Sequence, residues 1–386
     1  MVDQGRMPVS VHEFALRDME FSNSEKFALG RHQPGTTASE YVFFPGCQLS
    51  ASAPGQVERV YAHIREALGV PTGLMLRCCG APAEWAGRMD LFKRALVDFR
   101  DAHQSLGSPR VILACSTCYQ MFQTHLPEIE AESLWVLLDR QGLPGRATQR
   151  ARKGIVSIHD PCTTRLERSI QDSVRRILDR LGYQVAELPL SRDKTECCSY
   201  GGLMWLANRS LAKAVVQRRI AESSRDYVTY CAMCRDLFAA QGKRALHLLD
   251  LLLEADLESR ALRPGPGYSQ RQENRARLKR KLIKEEWGEE MPGFQNYDKI
   301  IQKIPANVQS RLEERLILVE DIRQVIAHAE KTGRKLVNPQ TGHFLACHRP
   351  ANVTYWVEYS PMPKGEGFAI YNAYSHRMLV EESKKL

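Results

Sequence analysis

Ten of the chain's eleven cysteines form two sets of five, in the same order and at nearly the same spacing. The first set is Cys47, the adjacent pair Cys78 and Cys79, and the C-x-x-C of Cys115 and Cys118. The second is Cys162, the pair Cys197 and Cys198, and the C-x-x-C of Cys231 and Cys234. Corresponding cysteines lie 115, 119, 119, 116 and 116 residues apart. So little drift over five positions marks a duplicated domain. The fold must therefore occur twice and bring the same five thiols to equivalent places.

The residues around the cysteines repeat as well. Each first cysteine closes an apolar run that reads as a buried strand, residues 41–47 and 155–162. Each C-x-x-C closes another, residues 111–115 and 227–231. Apolar residues then recur three and four apart over residues 84–106 and 203–223, a helical pattern. Strands alternating with helices predict two tandem Rossmann-like parallel α/β half-domains related by duplication. In such sheets the loops at the carboxyl ends of the strands gather into one crevice. Adjacent cysteines can face one site only if the chain turns sharply, and glycines follow both pairs, at Gly80 and at Gly201–Gly202. Helices beginning just after the cysteine loops aim backbone N–H groups at bound thiolates.

No stretch approaches the roughly 20 apolar residues of a membrane-spanning helix. The longest apolar run, residues 246–253, is interrupted by Asp250. The first ten residues lack the apolar core of a signal peptide. A cytoplasmic protein, or one peripheral to the inner face of a membrane through a partner, is the expectation. Thiols there stay reduced, so disulfides do not explain the cysteines. Sulfur-only ligation selects zinc, copper(I) or iron–sulfur clusters. A structural zinc site closes with four ligands, commonly two C-x-x-C pairs. Each set here offers five cysteines and one C-x-x-C, which leaves zinc a spare thiol twice over. A multi-iron cluster uses five, especially if one bridges. Iron–sulfur is the leading reading, ahead of zinc and of purely structural thiols.

The duplicated quintet resembles the cysteine-rich CCG domain found in the disulfide-cleaving subunit of heterodisulfide reductase, over about residues 40–260. The same domain occurs in an iron–sulfur component of anaerobic glycerol-3-phosphate dehydrogenase, in that of glycolate oxidase and in lactate-utilisation proteins. The resemblance implies two noncubane [4Fe-4S] clusters, with a substrate disulfide cleaved between them. One cluster would rest on Cys47, Cys78, Cys79, Cys115 and Cys118, the other on Cys162, Cys197, Cys198, Cys231 and Cys234. One departure is Ser199, where the second motif usually has glycine. Serine fits if the strained turn falls on Gly201 or Gly202.

Several relatives carry a ferredoxin-like segment ahead of this domain, whereas residues 1–40 here contain no cysteine. The expected partners are a ferredoxin-like iron–sulfur subunit and a flavin-containing or dehydrogenase subunit. The expected substrate is a small thiol, disulfide or quinone. Heterodisulfide reductase-type oxidoreductase chemistry leads, and an electron relay from a dehydrogenase to a quinone or other carrier is the alternative. A zinc-binding scaffold is third. His159 and Asp160, just before Cys162, either hydrogen-bond cluster sulfur and handle protons or cap the strand end and orient the loop.

The remaining segments divide at 1–38 (an arm), 39–145 and 146–262 (the two cysteine-rich domains), 263–292 (a basic linker or helix) and 293–386. The formal charge of +9 comes mostly from residues 261–386, with 21 basic against 15 acidic residues. Residues 271–284 alone hold seven basic residues and one acidic. A solvated helix is the simple account, and a dock for an acidic partner or lipid surface is the other. No nucleic-acid-binding module accompanies the run. Residues 311–332 read as one amphipathic helix, and three strand-like stretches from residue 343 to 380 predict a small α+β domain with a meander. Its His343, Cys347, His348 and His376 read as packing and hydrogen-bonding groups rather than a metal site. Residues 1–38 are polar and poorly periodic apart from Phe14, Leu16, Met19 and Phe21, as in a flexible arm or a partner-docking segment.

Overall fold

A computed structural model describes residues 12–144, 154–291 and 296–378. Among these, the residues up to Pro266 together with Arg271–Glu290 form one compact unit. Gly267–Gln270 and the residues from Met291 onward form a second.

The first unit contains both repeats. The apolar run ahead of Cys47 becomes a central strand because both its faces are covered: Val42, Phe43 and Phe44 are fully buried. Five strands, β1 (Leu29–Arg31), β2 (Tyr41–Phe44), β3 (Thr72–Leu76), β4 (Arg110–Leu113) and β5 (Ala131–Ser133), lie in the order β1-β3-β2-β4-β5. All pairings are parallel except β1 with β3. The second repeat supplies β6 (Gly154–His159), β7 (Tyr183–Glu187), β8 (Tyr227–Thr229) and β9 (Ala245–His247), all parallel, in the order β7-β6-β8-β9. Removing β1 from the first sheet leaves the same order, so the duplication extends to topology. In each half the chain leaves the first strand for a neighbour on one side and returns to a neighbour on the other. That reversal opens a crevice at the carboxyl ends. Cys47 follows β2, Cys78 follows β3 and Cys115 follows β4; Cys162, Cys197 and Cys231 follow β6, β7 and β8.

Three expectations change. Residues 12–38 are not an arm. The helix Glu13–Ser22 buries Ala15, Leu16 and Met19, and β1 extends the first sheet, so a weakly periodic segment is held by a few large side chains. The basic run is solvated along one face only, at Arg277, Arg280, Lys281 and Lys284. It lies in the helix Tyr268–Trp287, which buries Arg271, Arg275 and Lys279 beside Leu278, Leu282 and Ile283. Those cations are tolerated because partners meet them: Arg275 pairs with Asp18, Arg271 with Asp236, and Lys279 donates to the Glu25 and Ala28 carbonyls. The periodic stretches 84–106 and 203–223 are each two helices. The first breaks at Gly87 and the second at Asn208, whose side chain caps the Leu211 N–H.

The second unit holds two helices, Ala306–Glu314 and Val319–Thr332, and a five-stranded sheet. Its strands β10 (Gln302–Lys303), β11 (Leu336–Val337), β12 (Phe344–His348), β13 (Thr354–Pro361) and β14 (Phe368–His376) run β10-β14-β13-β12-β11. The meander β12-β13-β14 is thus flanked by two short strands that are too brief to leave a sequence pattern. The single helix expected over residues 311–332 is broken at Leu316, which sits at φ +56. The Ile317 N–H returns to the Leu312 carbonyl, and the Asp321 carboxylate caps the Leu318 N–H. The turn resets the helical phase, so Ile317 and Leu318 join Leu312, Ile322, Val325 and Ile326 among the buried residues. The stretch of the third predicted strand beyond Met378 lies outside the described residues.

Candidate metal centre

In the first repeat the five thiols touch in an unbroken chain. Cys47 partners Cys78, Cys78 partners Cys79, and Cys118 lies between Cys79 and Cys115 as a neighbour of both. The second repeat has the same neighbours in the same order. Cys162 lies against Cys197 (4.0 Å), Cys197 against Cys198, Cys198 against Cys234 (3.1 Å), and Cys234 against Cys231. The order is the first cysteine, the two members of the pair, the second C-x-x-C sulfur and then the first. It recurs because equivalent strands and turns deliver equivalent thiols.

Backbone donors favour charge on selected sulfurs. Cys115 is the N-cap of the helix Ser116–His125, and the N–H groups of Cys118 and Thr117 favour its thiolate. Cys231 caps Ala232–Ala240 in the same way, with the N–H groups of Cys234 and Met233. Cys79 receives hydrogen bonds from Cys118 and Cys78 and is held down to about 6 despite full burial. Their donation, together with burial, pushes Cys47, Cys118 and Cys234 well up. Some sulfurs in each set therefore carry the negative charge, and the rest keep protons that a bound metal would displace.

The two sets differ in exposure. Four of the first five cysteines are buried, with Cys115 half-buried, whereas Cys162, Cys197 and Cys231 are all half-buried in the second. The sets approach one another through Cys231, which lines the same pocket as the first set. A pocket of about 590 Å3, open solvent at its mouth included, is lined by all five cysteines of the first set and by Cys231. Trp85 and Tyr200, one from each repeat, form part of its wall and pack edge to face at 6.2 Å.

His159 and Asp160 do not both reach the thiols. Asp160 is tied to structure: Arg175 grips both its oxygens, the Tyr230 hydroxyl donates to it, and so does the Arg192 N–H. It orients the loop before Cys162 and is saturated there. His159 is fully buried, and its Nδ1 accepts from Arg219. Burial pushes its pKa down to about 3, so the ring is neutral, and its electrostatic neighbours include Cys197. In the second unit His343 pairs with Glu358, His348 stacks on His328, and His376 accepts from the Trp356 indole. Cys347 lies on β12 opposite Trp356.

Ser199 corrects another expectation, for the strained residue is the serine itself. Its φ is +72, matching Gly80 at +90 in the first repeat. This twist turns the N–H back onto the sulfur of the pair's first cysteine, Ser199 N to Cys197 Sγ at 3.2 Å and Gly80 N to Cys78. The Ser199 hydroxyl is buried and meets no partner among the described residues. Ser199→Gly is therefore expected to stabilise the protein by about 1 kcal/mol. A higher urea midpoint with unchanged metal content checks this, and a lower midpoint overturns it.

The model of the CCG family, a cysteine-rich domain, matches residues 41–123 and again residues 156–238. The chain thus matches the CCG cysteine-rich domain twice, once in each repeat. No curated protein matches it. The two CCG matches begin at the first strand of each repeat and end within the helices that carry Cys118 and Cys234. A pair of CCG domains fits iron–sulfur binding and a role in redox chemistry. Among the described residues, no helix is long and apolar enough to cross a membrane.

Proposed function

We propose that each cysteine set holds one [4Fe-4S] cluster of the noncubane type and that the protein reduces a disulfide, or oxidises two thiols, as one component of a larger complex. The observation that carries this reading is the unbroken contact of five thiols in the same order in both repeats, with the two sets meeting across one pocket. A closed zinc site takes four ligands and would leave a fifth thiol without a role in both repeats. When bound, the clusters supply one-electron steps that together make the two-electron change of a disulfide.

Reduction of one disulfide consumes two electrons and two protons and releases two thiols. A ferredoxin-like iron–sulfur subunit, itself served by a flavin-containing or dehydrogenase subunit, is the electron donor in this proposal. The chain's own residues position and shield. Trp85, Tyr200 and Pro82 give the pocket an apolar wall that excludes water from a sulfur-bearing substrate. Helix N-termini at Cys115 and Cys231 hold negative charge on sulfur where the two sets approach.

Anaerobically prepared protein is expected to be brown and to hold about eight irons per chain. Cys79→Ser and Cys198→Ser should each lower that to about four, and each should abolish a different paramagnetic signal. Unchanged iron in either variant, or zinc in place of iron, defeats the cluster assignment. A thiol added to oxidised protein should alter the spectrum of a cluster. An unaltered spectrum would point to an electron relay instead.

A further inference from the structure

Arg275 is a fully buried charged side chain of the first unit, close enough to the first cysteine set for its field to reach Cys47 and Cys78. It projects from the helix Tyr268–Trp287, and its side chain has no exposed surface. Asp18 receives both of its terminal nitrogens, and Ser22 accepts from one of them. Asp18 itself is about one-fifth exposed, so the carboxylate lies on the solvent side of the pair and the guanidinium on the inner side. The guanidinium's charge reaches the sulfurs of Cys47 and Cys78 and outweighs the opposing effect of Asp18 at Cys47.

The same corner is built from neighbouring residues. Gln48, next to Cys47, hydrogen-bonds Asp18, and Asn23, next to Ser22, accepts the Cys78 N–H. The Arg275 Nε–H is buried and meets no acceptor among the described residues. An orphaned charged donor at such depth is costly unless something anionic receives it. The second set has a different neighbour. There the imidazole of His159 stands beside Cys197, neutral and packed edge to face on Phe238, with Arg219 behind it.

We infer that Arg275 is a positioning charge for the first cysteine set and that its guanidinium raises the reduction potential of a cluster held there. The inference rests on the cluster reading above. Reduction adds one negative charge, which a fixed buried cation stabilises.

The test is a redox titration followed by electron paramagnetic resonance on the two-cluster protein, with Cys79→Ser identifying the first cluster's signal. That signal gives the first cluster's potential in the wild type. Arg275→Met should shift its reduction equilibrium about tenfold toward the oxidised form, roughly 59 mV for one electron, and leave the second signal unmoved. Arg275→Lys should restore most of the difference. Asp18→Asn, which removes the opposing charge, should shift it the other way. An Arg275→Met protein with both clusters and an unmoved first potential overturns the inference and leaves the cluster reading standing. If Arg275→Met loads only the second cluster, Asp18→Asn decides: an upward shift supports the inference and no shift overturns it. A wild-type protein without iron removes both.

Discussion

Gly46→Ala is expected to strip the first cluster from the protein and leave the second in place. Gly46 precedes Cys47 at φ 81 and ψ 156, a backbone region that only glycine occupies readily. A Cβ added there would stand 3.0 Å from Cys115 Cβ and 3.3 Å from Cys118 Sγ. Neither neighbour is free to retreat, because Cys115 caps a helix and Cys118 is buried within it. The backbone strain alone costs about 1–3 kcal/mol. Moving the C-x-x-C aside to relieve it would break the five-thiol contact. Iron should fall from about eight to about four per chain, with the second signal intact. Gly55→Ala is the control: nothing lies within 4 Å of an added Cβ, and the site is in the first turn of the helix Pro54–Leu68. Full iron content in Gly46→Ala would mean that the first set tolerates displacement of Cys115 and Cys118.

The contrast with the second repeat shows what a sequence can and cannot carry. Cysteine spacing made the duplication legible, because identical strand order returns identical thiols to one crevice regardless of the loops between. The backbone conformation before the first cysteine is not repeated: Gly46 stands at positive φ, whereas Pro161 before Cys162 stands at −59. Nor was the strain at Ser199 legible, since glycines two and three residues later offered an easier place for the turn.

The basic run 271–284 misleads for a physical reason. Seven cations suggest solvent, and nothing local reveals that three of them, Arg271, Arg275 and Lys281, have acids waiting in the fold. The partner of Arg275 is Asp18, 257 residues away, and that of Arg271 is Asp236, 35 residues away. The same helix holds the helix Glu13–Ser22 in place, so the N-terminal segment and the basic run mislead together. For Asp160 the sequence left two readings open, chemistry at the cluster or orientation of the loop, and Arg175, Tyr230 and Arg192 already occupy its carboxylate.

Asp236→Ala should be the most destabilising single substitution at the junction of the two repeats, by roughly 3–5 kcal/mol. Asp236 follows Cys234 by two residues and is buried. Its carboxylate takes the Ser52 hydroxyl at 2.6 Å, the Arg235 guanidinium at 3.1 Å and the Arg271 guanidinium. Ser52 ends the helix that Cys47 begins, so one carboxylate ties the helix after the first cysteine to the helix carrying the last. Removing it leaves Arg235 and Arg271 buried with no counter-charge at that position, and each is costly to leave so. Burial opposes the charged form of Asp236, but Arg271, Ser52 and Arg235 together win and hold its pKa below the ordinary carboxylate value. A depressed folded pKa means that the stabilisation is complete above the unfolded carboxylate value and is lost as the pH falls through the folded one. The wild type should therefore lose stability steeply on the acid side, and Asp236→Ala should lose part of that slope along with its overall stability. Anaerobic urea unfolding followed by circular dichroism, near neutrality and at about pH 3, below the unfolded carboxylate value, measures both. Asp236→Ala combined with Arg271→Met should cost less than the sum of the two single changes, because the second removes a cation that the first left unpaired. A loss under about 1 kcal/mol for Asp236→Ala, or strict additivity in the double variant, would mean that water or backbone carbonyls, not Asp236, neutralise the two arginines.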